Sequence, residues 1–74
     1  MPAERVRIEV GFDGGQIMGA LVAPESADAL ERALSDGNET SLALEADEGR
    51  YLISLRRVVY VKRFTRESRV GFGA

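Results

Sequence analysis

The sequence predicts an α+β domain that is mainly β, with the element order β-β-α-β-β-β. The expected build is a small, partly open barrel, or an antiparallel sheet carrying one helix. Three observations carry this expectation. Several short runs alternate apolar and polar residues, the period of a half-buried strand. One stretch alone has its apolar residues at helical spacing. The links between these runs are short and rich in turn-forming residues, which favours antiparallel neighbours. With 74 residues the chain is expected to form one domain over 1–74, and a domain of this size buries only roughly 60–65% of the surface its unfolded chain exposes.

In the first run, Val6, Ile8, Val10 and Phe12 alternate with Arg5, Arg7, Glu9 and Gly11. Asp13-Gly14-Gly15 follows as a hairpin signal, because both glycines accept positive φ at little cost. Residues 16–23 form the second run, Gln-Ile-Met-Gly-Ala-Leu-Val-Ala. It is apolar on both sides, as a covered strand would be, and Gly19 within it points to a bulge, a bend or a close backbone approach. Pro24 ends that strand. Ser26 is the expected N-cap of a helix over about 27–36, with Ala27, Leu30, Ala33 and Leu34 on its apolar stripe and Gly37 as the stop. Residues 40–46 form the third strand, with Leu42, Leu44 and Ala46 on one side. Asp47-Glu48-Gly49 turns the chain into the fourth strand, residues 50–55, whose Tyr51, Ile53 and Leu55 share a face. Arg56-Arg57 is a very short connection to the fifth, residues 58–64. Val58-Val59-Tyr60-Val61 is apolar on both sides, which predicts a central or covered strand. Residues 65–74 read as a flexible tail, or as an edge segment in which Val70 and Phe72 pair with a neighbour.

Two stretches resemble a known family. Val10-Gly11-Phe12-Asp13-Gly14-Gly15-Gln16-Ile17-Met18-Gly19-Ala20-Leu21 is similar to the first half of the Sm-like motif, with Ile17, Gly19 and Leu21 at the family's hydrophobic-x-Gly-x-Leu spacing. Residues 51–61 are similar to its closing strand pair. Together the two stretches cover about a third of the chain. The resemblance implies an Sm-like or SH3-like barrel. It carries no RNA contact across, because Pro24-Glu25-Ser26 stands where the family has its Asp and Asn, and Ser54-Leu55 stands at its Arg-Gly pair.

Composition narrows the chemistry. The chain has no cysteine and no histidine, so disulfides, thiolate metal sites and imidazole acid–base chemistry are excluded. Lys62 is the single lysine. Nothing pairs a nucleophile with a base, so no enzyme activity, no catalytic residue, no metal and no cofactor are expected. Met1-Pro2-Ala3-Glu4-Arg5 is not followed by an apolar segment, and no run approaches the ~20 residues that span a bilayer. The expected location is the cytoplasm, with no membrane contact.

The net charge is −2, unevenly spread. Residues 1–48 hold eleven acids and three bases; residues 49–74 hold seven bases and one acid. The candidate residues for a partner or an anionic ligand are therefore Arg56, Arg57, Lys62, Arg63, Arg66 and Arg69, with Arg50 nearby. Arginine offers a planar donor fork for phosphate or carboxylate. Tyr60 and Phe64 share one face of the fifth strand with Lys62 between them, a pattern that suits stacking on bases. The plainer reading pairs these bases with the acidic half and puts the aromatics in the core. The acids Glu45, Asp47, Glu48 and Asp13 read as solvated turns, since their spacing matches no calcium loop.

Two functions follow. The first is a non-catalytic interaction or regulatory module that self-associates as a dimer or ring, burying Val59 and Val61 and meeting other proteins. The second is an RNA-binding small barrel that uses the basic cluster.

Overall fold

The computed structural model describes residues 4–64; the expected tail strand at 65–74, with Arg66 and Arg69, lies outside the described residues. The strands are β1 (Val6–Phe12), β2 (Ile17–Val22), β3 (Ser41–Ala46), β4 (Gly49–Ser54) and β5 (Val58–Arg63), with helix α1 (Pro24–Asp36) between β2 and β3. All five strands belong to one antiparallel sheet in the order β4-β3-β2-β1-β5. The fold is α+β and mainly β, and among the described residues the sheet does not close.

The β1–β2 hairpin turns through a 3-10 turn at Asp13–Gly15, where Gly14 and Gly15 take φ of 86° and 90°. The Phe12 amide donates to the Gln16 carbonyl at 2.8 Å and seals it. At the far side β2 meets β3 at the single pair Val22↔Ala46, reinforced by the Asp47 amide on the Leu21 carbonyl at 3.0 Å. The β3–β4 hairpin thus hangs from one corner of the β2-β1-β5 group. A second 3-10 turn, Leu55–Arg57, links β4 to β5. Those strands stand at opposite edges, yet three residues span only about 10 Å even when extended. The sheet therefore curls until its two edges approach at that corner, with no ladder joining them.

One side of the sheet is covered. Ile8, Val10, Ala20, Val22, Leu44, Ile53 and Leu55 meet Ala27, Leu30 and Ala33 of α1 in a single core. Ile8, Val10, Ala27 and Leu30 are wholly shielded from solvent. Burial of an apolar area stabilises by roughly 25 cal/mol per Å², and α1, at 13 residues, depends on it because short helices are marginal alone. No polar residue is buried among those described.

Five sequence expectations change. The helix begins at Pro24, with Ala23 as N-cap and no side-chain cap, so Ser26 lies inside the first turn. Proline's fixed φ and missing N–H suit the first helical position, where no amide partner is needed. β5 is an edge strand, not a central one; it leaves β4 and pairs with β1, so the strands do not run as a simple meander. The bulge lies between Gly11 and Phe12 of β1, not at Gly19: Gly11 pairs with Tyr60 and Phe12 with Val58, leaving Val59 unpaired. β2 is not a covered strand: it pairs with β1 along its length but with β3 only at Val22↔Ala46, and Ile17 is 63% exposed. Val61 faces the helix side and packs against the core, leaving Val59 alone of that pair free for a partner.

Candidate functional site

The side of the sheet turned away from α1 gathers most of the chemistry-bearing residues. Strand alternation and register place Arg7, Glu9 and Gly11 of β1 there, beside Ile17, Gly19 and Leu21 of β2 and Tyr60 and Lys62 of β5. On the second hairpin the same alternation gives Ala43 and Glu45 of β3 with Arg50 and Leu52 of β4.

Gly11 lets the aromatic residue of β5 lie down. A Cβ there would sit 2.1 Å from Cε2 of Tyr60 and 2.5 Å from its Cζ. The ring covers the glycine backbone, and its hydroxyl donates to Glu9 Oε2 at 2.5 Å. This hydrogen bond holds the Tyr60 hydroxyl above the ordinary tyrosine pKa. Four residues on from Tyr60, the Phe64 amide donates to the Arg7 carbonyl, continuing the β1–β5 pairing. Both neighbouring cations then face the Phe64 ring: Lys62 Nζ is 4.6 Å and Arg7 Cζ is 5.3 Å from its centroid, within cation–π range. Next to Arg7, Gly19 leaves a shallow hollow of about 310 Å³ bordered by Arg7, Leu21 and Glu48.

The basic residues predicted as one cluster separate. Lys62 joins the aromatic group on the helix-free side. Arg63 reaches the opposite side, where its Nη1 meets Asp28 Oδ1 at 2.8 Å and Glu31 Oε2 at 3.3 Å on α1. Arg57 lies at the 3-10 corner, 3.3 Å from Asp13. Arg50 donates to Glu45 across its hairpin at 2.9 Å. Among the described residues, Arg56 has no carboxylate within ion-pair distance, and it borders a small hollow with Leu34, Glu39 and Leu55. Alternation along β5 sends Lys62 and Arg63 to opposite faces, so proximity in sequence could not make one patch. Arg7 is the residue sequence reasoning missed; its alternation beside Val6 and Ile8 placed it on the polar face, but its aromatic neighbour lies 57 residues on.

Tyr51 was expected on the core side, and its ring does pack there. Its hydroxyl donates to Glu48 at 2.6 Å. That bond raises the tyrosine and holds the Glu48 carboxyl below its usual range. Among the described residues, no group of three or more acidic side chains is placed to hold a metal ion, and no helix is long and apolar enough to cross a membrane.

No family model, no curated protein sequence and no solved structure matches this chain.

Proposed function

We propose that this chain is a non-catalytic, cytoplasmic interaction module that works by associating with a second copy through the side of its sheet that α1 leaves bare. One observation carries the reading. Leu52, Val59 and Ile17 are 76%, 67% and 63% exposed, and all three lie away from the helix or on a strand edge. Large apolar side chains exposed to this degree, set among charged residues, are what an interface offers. The same face holds both signs, with Arg7, Arg50 and Lys62 interspersed among Glu9 and Glu45. A copy related by a twofold axis can set acid against base there, which favours an identical partner over one of a single charge. Sedimentation velocity at tens of micromolar tests this. Dimer or larger species are expected, and a monomer at every concentration would contradict it.

A second reading rests on a different observation. Arg7 and Lys62 over Phe64, beside Tyr60, combine cations and rings as a binder of single-stranded RNA does. Glu9 among them and the acidic partners of Arg57 and Arg63 weigh against it. Titration with labelled single-stranded RNA separates the readings: this one requires binding that falls steeply with salt, and none at low salt removes it.

A further inference from the structure

We infer that the second copy docks edge to edge on β4, giving a symmetric antiparallel β4–β4 pair centred on Leu52; this inference rests on the self-association proposed above. Among the described residues, the sheet ends in two edge strands, β4 and β5. β5 is blunted in the way edges usually are, by the bulge that leaves Val59 unpaired and by Lys62. β4 has neither. Its sequence, Gly-Arg-Tyr-Leu-Ile-Ser, contains no proline or lysine, and it pairs with β3 without a register shift from Ala46↔Gly49 to Ser41↔Ser54.

The direction of its backbone groups follows from one bond. The Leu55 amide donates to the Thr40 carbonyl at 3.0 Å. Bonded and non-bonded pairs alternate along an antiparallel ladder, so Ile53, Tyr51 and Gly49 bond to β3. Arg50, Leu52 and Ser54 therefore turn their N–H and C=O groups outward, to the free edge. A twofold axis at Leu52 pairs these groups completely: Leu52 with Leu52, and Arg50 with Ser54 of the second copy, twice.

The side chains agree with this register. On the helix-free face, Ala43 and Leu52 would meet their counterparts in one apolar row, covering the most exposed large apolar side chain of the described residues. On the other face Tyr51 would stand beside Ile53 of the second copy and join the two cores. Arg50 is the only charged residue of β4. With Leu52 central, the two Arg50 positions are four residues apart, roughly 13 Å along a strand. That exceeds the screening length of about 8 Å at physiological salt, and each guanidinium keeps its own Glu45.

The absence of native cysteine makes the test direct. In a hydrogen-bonded antiparallel pair the facing Cα atoms are about 5.5 Å apart, inside the roughly 4.4–6.8 Å range that a disulfide spans. Leu52→Cys should form a disulfide-linked dimer as its main product under mild oxidation, while Val59→Cys stays mostly monomeric. Arg50→Cys and Ser54→Cys should cross-link when mixed and not when oxidised separately, which checks the register with substitutions at exposed positions. If wild type sediments as a dimer but Leu52→Cys gives no more cross-link than Val59→Cys, and the mixed pair gives none, the β4 pairing is wrong while self-association stands. A mixed disulfide between the Leu52→Cys and Val59→Cys chains as the main product of oxidising them together, identified from the mass of the linked peptides, would overturn it in favour of head-to-tail β4–β5 contacts. A monomeric wild type would remove both proposals.

Discussion

Replacing Gly11 by alanine tests the packing of β5 on β1, and the structure supplies its size. The new Cβ would lie 2.1 Å from Cε2 and 2.6 Å from Cδ2 of Tyr60, where carbon atoms normally rest about 3.5–4 Å apart. The ring must retreat by about 1.5 Å, and it is part of a tyrosine anchored through its hydroxyl to Glu9. Overpacking on this scale typically costs about 1–3 kcal/mol. Gly11 is not in the left-handed region of backbone space, so no backbone strain is added. Urea unfolding followed by circular dichroism, at one fixed protein concentration, reads the effect; for a chain this short each kcal/mol lowers Tm by roughly 4–8 °C. The decisive control is the same change in a Tyr60→Ala background. With the ring gone, Gly11→Ala should turn neutral or stabilise by up to about 0.5–1 kcal/mol, since alanine loses less chain entropy in a strand. The difference between the two backgrounds is the coupling energy of the pair. Equal effects in both backgrounds would refute the account of how Gly11 seats Tyr60.

Further outcomes follow from the same geometry. Leu30→Ala should cost about 2–5 kcal/mol as a buried leucine truncation, a large share of the roughly 4–11 kcal/mol expected for 74 residues, so urea unfolding should find little folded protein left. Gly37 ends α1 at φ 72°, so Gly37→Ala should lower stability by about 1 kcal/mol in the same assay. The two tyrosines, with no tryptophan to mask them, should both titrate above the ordinary tyrosine value when followed by ultraviolet absorbance, and Glu9→Gln should return Tyr60 alone toward it. The sign for stability follows: these raised pKa values contribute fully below the ordinary tyrosine pKa and are lost as pH rises through the folded-state values. The lowered Glu48 contributes above its ordinary pKa and is lost as pH falls, and Glu48→Gln should remove that acid-side loss.

The strands were legible because burial on one side writes a period of two. Ile8 and Val10 of β1, and Leu44 and Ile53 of the second hairpin, each fell on the face their alternation assigned. The Asp13-Gly14-Gly15 turn was legible because positive φ needs glycine. What misled was apolar character on both sides of a strand, taken as cover. In β5 it has two local causes: Val59 is turned out by the bulge, and Tyr60 fills the space that Gly11 leaves one strand away. Neither can be read from β5 itself, because both depend on its pairing partner. The helix start was hidden because Ala23 caps without a side chain, while Ser26 offered the usual signal one turn too late. The basic cluster dissolved for a similar reason: partners such as Asp28 for Arg63 and Asp13 for Arg57 are set by the fold, not by neighbours in sequence. Phe64 between Arg7 and Lys62 is a product of register as well.

Amide hydrogen exchange recorded on dilute and on concentrated protein puts the greatest strain on the idea that the molecule works by pairing with a second copy along β4. Exchange at Arg50, Leu52 and Ser54 should slow as concentration rises, while amides along α1 keep their rates. Identical rates at both concentrations, or a slowing confined to α1, would show that the molecule uses some other surface or none.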